Sequence, residues 1–329
     1  MPAPSGPRAA YAARSFRLSA ACALCLTLAA LSSCASSASR RELAGSWTEL
    51  GNAWAEKGSW DKAAGAWSKA LALDPAQGVA AANLARGQLE AGKFQDALAT
   101  VAPLLARDPD NASLLALRAY ALYRLGRNDE ALNAYERVVA INGEDRASVF
   151  NLAILLEGAG RLEDALARHR SILNGKPEDP ASSFRAGVLL VSLGRPEEAA
   201  PYLDVYGQSL APDSAARLSL AMAWEDAASY AKAMEMATAY LDGKPGDAAG
   251  WFMLGRIRLR AGVPAKDILD AFSRAVSAGY KDADAVNAVL NLPGARGVEG
   301  LEALLAALVQ APLGGEEDDA DEGDDAPGE

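Results

Sequence analysis

Between residues 44 and about 280, apolar and small positions return at spacings of three and four and are interrupted at regular intervals. That spacing is the signature of helices with one buried face. The stretches "EAGKFQDALATV", "RLGRNDEALNAY" and "GAGRLEDALARH" each hold a small-residue turn, a charged residue, then Ala-Leu. Gly58, Gly92, Gly126, Gly160 and Gly194 follow one another at a constant step, and Gly262 lies two steps further on. Pro75 and Pro109 keep the same step, as do Ala63, Ala97, Ala131, Ala165, Ala199 and Ala233, while Pro177 and Pro245 follow at double steps. Glycine tolerates the left-handed conformation that ends one helix and starts a turn. Proline suits a helix edge and so marks the gap between units. An alanine at one fixed place in each second helix allows two backbones to approach closely. The pattern predicts an all-α chain of helix-turn-helix units.

The step of about 34 residues indicates a solenoid and is that of the tetratricopeptide (TPR) family. The first unit resembles the TPR consensus best. Trp47, Leu50, Gly51 and Trp54 match its W-x2-L-G-x2-Y helix with Trp in place of Tyr, and Gly58, Ala63, Trp67, Ala70 and Pro75 complete it. Later units start at Gly78, Ala112, Arg146, Pro180, Ser214 and Ala248 and are looser. The sixth has Ala228 where the turn glycine belongs, and the seventh carries an extra residue near Pro264 that puts its second helix out of step. The resemblance implies a right-handed solenoid of six to seven repeats over residues 44–280. Residues 281–310 lie outside the period and read as two helices around "LPGAR", a C-terminal cap. Leu301, Leu304, Leu305 and Leu308 form one stripe there.

In TPR proteins the first helices line a concave groove, with their fifth, ninth and twelfth residues facing inward. By that resemblance the partner-binding wall here comprises Tyr120, Tyr123, Phe150, Ile154, Phe184, Val188, Val191, Leu218, Met222 and Phe252. Glu157 and Glu225 are polar exceptions, and Arg86 and Arg256 stand towards the ends. Such a wall suits an amphipathic helix or an extended apolar segment of another protein. Chaperone-tail binders of the family place lysines and asparagines at such positions. None of the 21 inward places holds a lysine, so that activity is not implied. The competing reading is that these residues only pack neighbouring first helices together.

The ends of the chain differ from its body. Arg8, Arg14 and Arg17 precede the apolar run Leu18–Leu31, with no acidic residue among them. Fourteen residues are too few for a bilayer span, which takes about 20. Basic residues, a short apolar run and small residues after it describe a secretory signal peptide over residues 1–33. "LSSC" at 31–34 resembles the lipobox of bacterial lipoproteins. By that resemblance Cys34 is lipidated and opens the mature chain, with a short linker over 34–43. Cys22 and Cys25 form a C-x-x-C, but inside the segment that would be removed. Residue 35 is alanine, not the aspartate associated with inner-membrane retention, so the resemblance points to the outer membrane facing the periplasm. At the far end, nine positions between 315 and 329 are acidic and none is basic. Such composition cannot bury a core, which predicts a disordered tail over 311–329.

Composition closes off several function classes. The net charge of −11 argues against a nucleic-acid footprint. A single histidine, His169, falls at a packing place in a second helix. No His and carboxylate spacing suggests a metal, and there is no phosphate-binding loop or nucleophile elbow. The sequence predicts no enzyme, no cofactor and no small-molecule substrate. It predicts a membrane-anchored adaptor or scaffold of the bacterial envelope with a protein partner. The alternatives are a pilotin-like or outer-membrane assembly factor for a secretin or pilus component, a non-catalytic subunit of an envelope hydrolase, and a protein that self-associates through the Leu301 stripe.

Overall fold

The computed structural model describes residues 37–211 and 213–309. Cys34, the signal-like segment and the acidic tail lie outside the described residues, as do the side chains of Leu308 and its neighbours. Every regular element among the described residues is helical. In chain order, first and second helices alternate: α1 (37–56) and α2 (Trp60–Leu73), α3 (Gly78–Glu90) and α4 (Phe94–Arg107), α5 (Ala112–Arg124) and α6 (Asn128–Ile141). They continue as α7 (Arg146–Gly158) and α8 (Leu162–Gly175), α9 (Pro180–Ser192) and α10 (Pro196–Ser209), α11 (Ala216–Asp226) and α12 (Tyr230–Gly243), α13 (Ala248–Ala261) and α14 (Ala265–Ser277). The chain forms two compact units that divide at Leu155 and Leu156, within α7.

One pattern of sizes runs through the pairs. The eighth place of the first helix is Gly51, Ala85, Ala119, Ala153, Gly187, Ala221 or Gly255, all buried. The fixed alanines of the second helices, from Ala63 to Ala233, are at most 1% exposed. Four residues after each alanine stands a side chain at the helix–helix gap: Trp67, Val101, Tyr135, His169, Leu203 and Ala237 are all buried. The three glycines face large members of this set. A Cβ on Gly51 would lie 2.4 Å from Trp67 Nε1, and one on Gly187 would lie 2.5 Å from Leu203 Cδ2. Gly255 faces Phe272, whose ring atoms would be 2.9 Å from a Cβ. Phe272 stands one residue later than the repeat step requires, so α14 absorbs the inserted residue and still delivers a large side chain to the gap.

The turns follow the same economy. The predicted turn glycines Gly58, Gly92, Gly126, Gly160, Gly194 and Gly262 have φ between +67° and +74°. Ala228 takes the place of the missing one and adopts φ +54° itself, the one non-glycine with positive φ among the described residues. The starts of four helices carry a feature that the periodicity of apolar residues did not reveal. Asn111, Asp179, Asp247 and Asp282 accept hydrogen bonds from the backbone N–H of Leu114, Ser182, Gly250 and Ala285, capping α5, α9, α13 and the helix after the last repeat.

Beyond the repeats, α15 (Ala283–Leu290), a 3-10 turn (Ala295–Gly297) and α16 (Leu301–Val309) close the second unit. Val286, Val289, Ala295, Val298, Leu301 and Leu305 pack with Phe252, Leu259, Ile268 and Phe272 in one core cluster, and Leu304 lies against it. Leu301, Leu304 and Leu305 of the stripe are therefore cap packing. At the other end, residues 37–43, within the expected linker, are helical. Helix α1 already runs at residue 37, seven residues before the consensus match begins.

Three stability outcomes test this account. Gly255→Ala should lower stability by about 1–3 kcal/mol because the Phe272 ring must move. Gly65→Ala, in the open on α2 with nothing within 4 Å of its added Cβ, should raise it by about 1 kcal/mol. Ala228→Gly should also stabilise, by about 1 kcal/mol, by removing the left-handed penalty. Denaturant melts read all three, and a destabilised Gly65→Ala or an unchanged Gly255→Ala would refute the packing scheme.

Candidate functional site

The ten wall residues named from sequence occupy first helices, and their exposure sorts them. In the first unit Tyr120 and Tyr123 of α5 and Phe150 and Ile154 of α7 are all half-buried. Arg124 donates from Nη1 to the Tyr120 hydroxyl at 2.8 Å and lies 4.6 Å from the centre of the Phe94 ring. Aromatic faces here are thus already engaged by a cation. Arg86 is exposed on α3. Asn52, the inward residue of the first repeat, accepts hydrogen bonds from Trp67 Nε1 at 3.1 Å and Asn83 Nδ2 at 2.8 Å.

In the second unit α9 and α11 are adjacent first helices. Val188, Val191 and Leu218 are half-buried there, and Met222 is 44% exposed. Phe184 is half-buried and pairs with Tyr206 of α10, ring centres 4.6 Å apart. Phe252 is different from the expectation. It is 3% exposed, stacks on Tyr280 at 4.0 Å and meets Phe272 edge-on at 5.3 Å. It belongs to the cap core and offers no surface, because the segment after α14 covers it. Leu259, at an inward place of the same helix, is buried in that cluster too.

The polar exceptions are bound up with neighbouring helices. Glu225 is 1% exposed, and Arg256 clasps it with Nε–Oε1 at 3.2 Å and Nη2–Oε2 at 2.7 Å. Arg260 adds Nη1–Oε1 at 3.1 Å. Two guanidinium groups from α13 thus neutralise one buried carboxylate on α11, which a buried charge requires. Glu157 plays a similar part: Arg185 of α9 reaches its Oε2 at 3.0 Å, and the Nε2 of fully buried His169 is hydrogen-bonded to its Oε1 at 3.0 Å. These carboxylates tie one helix to the next and are not vacant ligand positions. Among the described residues no group of three or more His, Cys, Asp or Glu is placed to hold a metal, and no helix is long and apolar enough to cross a membrane.

A second recess is not among the sequence expectations. A cavity of about 550 Å³ is lined by Leu98, Ala99, Ala102, Leu105 and Ala106 of α4, with Arg118, Leu122 and Arg127 beyond. One departure from the pattern lies at its rim. The seventh place of the first helix is a buried leucine at Leu84, Leu152, Leu220 and Leu254 and a buried alanine at Ala186, but in the third repeat it is Arg118, which is exposed. The charged residue in this otherwise apolar series is present in the sequence, but a pattern keyed to glycines and alanines passes over it.

Comparison with known proteins agrees with this architecture. A family model described as tetratricopeptide repeat matches residues 82–148, 117–169 and 150–215. Residues 82–215 are similar to tetratricopeptide repeats, and the helix pairs on either side continue the same step. Its structure is similar to that of a tetratricopeptide repeat protein from Parabacteroides merdae ATCC 43184, at 19% identity over 80% of this chain and 99% of that one, with a TM-score of 0.54. Looser likenesses are YrrB, a TPR protein with an unusual peptide-binding site (17% identity, 57% of this chain and 96% of that one, TM-score 0.49), and MamA (20%, 48% and 93%, TM-score 0.46). A search of curated proteins finds no match.

The pairing of Glu225 yields an outcome for melts. Glu225→Ala leaves Arg256 and Arg260, each about a third exposed, without their carboxylate. A buried pair broken from one side costs about 3–5 kcal/mol, and exposure of the guanidinium groups reduces this to about 2 kcal/mol. Arg256→Ala should cost less, because Arg260 remains. Equal losses for the two variants would contradict the shared-carboxylate arrangement.

Proposed function

We propose that this chain is a lipid-anchored adaptor of the bacterial cell envelope that holds an apolar segment of another protein along the first helices of its repeats. The observation that carries the reading is the row Val188, Val191, Leu218 and Met222 in the second unit. All four keep apolar surface in contact with solvent at inward places of adjacent repeats, and Met222 is 44% exposed. Equivalent places in stacked repeats fall along a line, so a ligand running across them meets anchors at regular intervals. Methionine and valine offer adaptable apolar contact without a fixed polar code. The inward carboxylates Glu157 and Glu225 are already clasped, which favours an apolar ligand over a charged one. Tyr120, Tyr123, Phe150 and Ile154 form the corresponding wall of the first unit.

The anchor supports the envelope setting. The three arginines, the 14-residue apolar run and the "LSSC" at 31–34 are the sequence features behind it, and Ala35 favours the outer membrane with the repeats in the periplasm. The proteins it serves would then lie at or near a membrane.

Photo-crosslinking in native envelopes tests the adaptor role. A photoreactive residue at position 222 should capture a defined partner, while one at exposed Glu235 on α12 should not. Capture from 235 and not from 222 would move the interface to the second helices and refute the wall. Mass spectrometry of the mature N-terminus tests the anchor separately. A chain that begins at a diacylated Cys34 is expected, and any other first residue would overturn the lipidation.

A further inference from the structure

We propose that the first repeat lays one face of α1 on the membrane surface, through a stripe made of Arg40, Leu43, Trp47, Leu50, Trp54 and Lys57. The spacing of these six residues is three, four, three, four and three, which places the first five along one side of α1, with Lys57 in the turn directly after it. The stripe holds four large apolar side chains with a cation at each end and no acid. The acids of this helix, Glu42, Glu49 and Glu56, step by seven along a neighbouring line.

Trp47 and Trp54 pack with one edge against the clusters around Ala70 and Trp67, while the leucines of this face are left open by their place in the repeat. Leu50 stands at the seventh place, where Leu84 in the next repeat packs against Ala63 and Trp67 of α2, the second helix of the repeat before it. Among the described residues nothing precedes α1. Leu50 is accordingly 42% exposed and Leu43 50% exposed, whereas Leu84 is 8% exposed. The other end of the repeats has a built cap in α15 and α16, with Leu301 and Leu305 fully buried. Solenoid ends need such cover.

What covers α1 is indicated by the chemistry around its tryptophans. Trp47 and Trp54 are half-buried. Lys69 of α2 lies 4.3 Å from the Trp47 ring centre, and Lys62 lies 4.5 Å and Lys57 5.7 Å from that of Trp54. Indoles with ammonium groups beside them, next to exposed leucines, match the boundary between head groups and acyl chains, where amphipathic rings sit and lysines reach anionic phosphates. Position decides between a bilayer and a protein. The helix runs at residue 37, three residues from Cys34, so it adds only about 1.5 Å per residue where an extended linker would add about 3.3 Å. A lipid on Cys34 would hold Arg40 and Leu43 at the bilayer surface. The proposal thus rests on the anchored reading, and it orients the repeats as well as tethering them.

Vesicles test it with the chain from Cys34 onward, which contains every described residue and a single cysteine. It is coupled through Cys34 to a maleimide lipid in phosphatidylethanolamine–phosphatidylglycerol vesicles, and tryptophan quenching by bromine-substituted acyl chains is read. Quenching is expected, and Leu43→Glu with Leu50→Glu should abolish it at unchanged helicity. Without the tether, the wild-type chain should sediment with these vesicles roughly tenfold better than that variant, as expected for a small interfacial apolar face. If the double variant unfolds, Arg40→Glu with Lys57→Glu, both exposed, gives the second reading and should reduce quenching on phosphatidylglycerol vesicles. Absence of quenching in the tethered wild type overturns the proposal. So does a dimer in light scattering that the leucine variant dissolves, which would assign the stripe to a second copy. The N-terminal mass of the native protein reports on the anchor alone. An unmodified Cys34 with quenching intact would remove the anchor and leave the surface.

Discussion

The structure depends on how closely the two helices of each repeat approach one another. At Gly51 a single added carbon would fall 2.4 Å from the Trp67 indole, and at Gly255 it would fall 2.9 Å from the Phe272 ring. The first helix keeps only glycine or alanine at its eighth place, so that the second can bring side chains from alanine to tryptophan into the gap. Packing density tolerates neither gap nor overlap. That constraint keeps the small residue at a fixed offset while the residue facing it varies. It also explains how α14 accommodates an insertion: the gap is filled by whichever large side chain reaches it, and Phe272 does.

Much of this was legible from spacing alone. Turn glycines and fixed alanines act locally, through backbone conformation and near-neighbour contact, and such requirements leave the same residue at the same offset. Even the irregular turn at Ala228 was visible, and the structure resolves it by placing an alanine at φ +54°. The helix caps at Asn111, Asp179 and Asp247 recur at double steps as well, but short polar residues before helices are easily passed over when apolar periodicity is followed. The exposure of the inward residues was not legible. Phe150, Phe184 and Phe252 share one offset, yet Phe252 is in the core. Its cover comes from Tyr280 and the cap, which have no counterpart in the repeat. Likewise Glu225 gave no sign of burial in its own repeat, because its partners arrive 31 and 35 residues later.

Those pairings change what an inward charge means in this protein. A free carboxylate facing a groove would attract a basic ligand. A carboxylate held by one or two guanidinium groups joins consecutive first helices and fixes their spacing. Glu157 and Glu225 stand two repeat steps apart at the same offset, and each engages an arginine from a later first helix. Net affinity between buried charges is small once desolvation is included, so their main effect is to specify register. The apolar residues between them are then the chemically available part of the wall.

The two ends of the repeats solve one problem differently. A stacked unit buries one face against the unit before it, so the first must find cover elsewhere. At the C-terminal end α15, the 3-10 turn and α16 supply it from the chain itself, and the core there includes aromatic residues that earlier repeats leave half-buried. At the N-terminal end α1 instead extends backwards to residue 37 and keeps Leu43 and Leu50 in the open. Exposed leucines beside tryptophans stabilise nothing within the chain and invite association. Lysines set over the indoles shield the ring faces while leaving the leucines uncovered, an arrangement that tolerates water and also suits a polar-apolar boundary. An internal cap at this end would have covered Leu43 and Leu50; the open helix instead leaves them to whatever surface meets the first repeat.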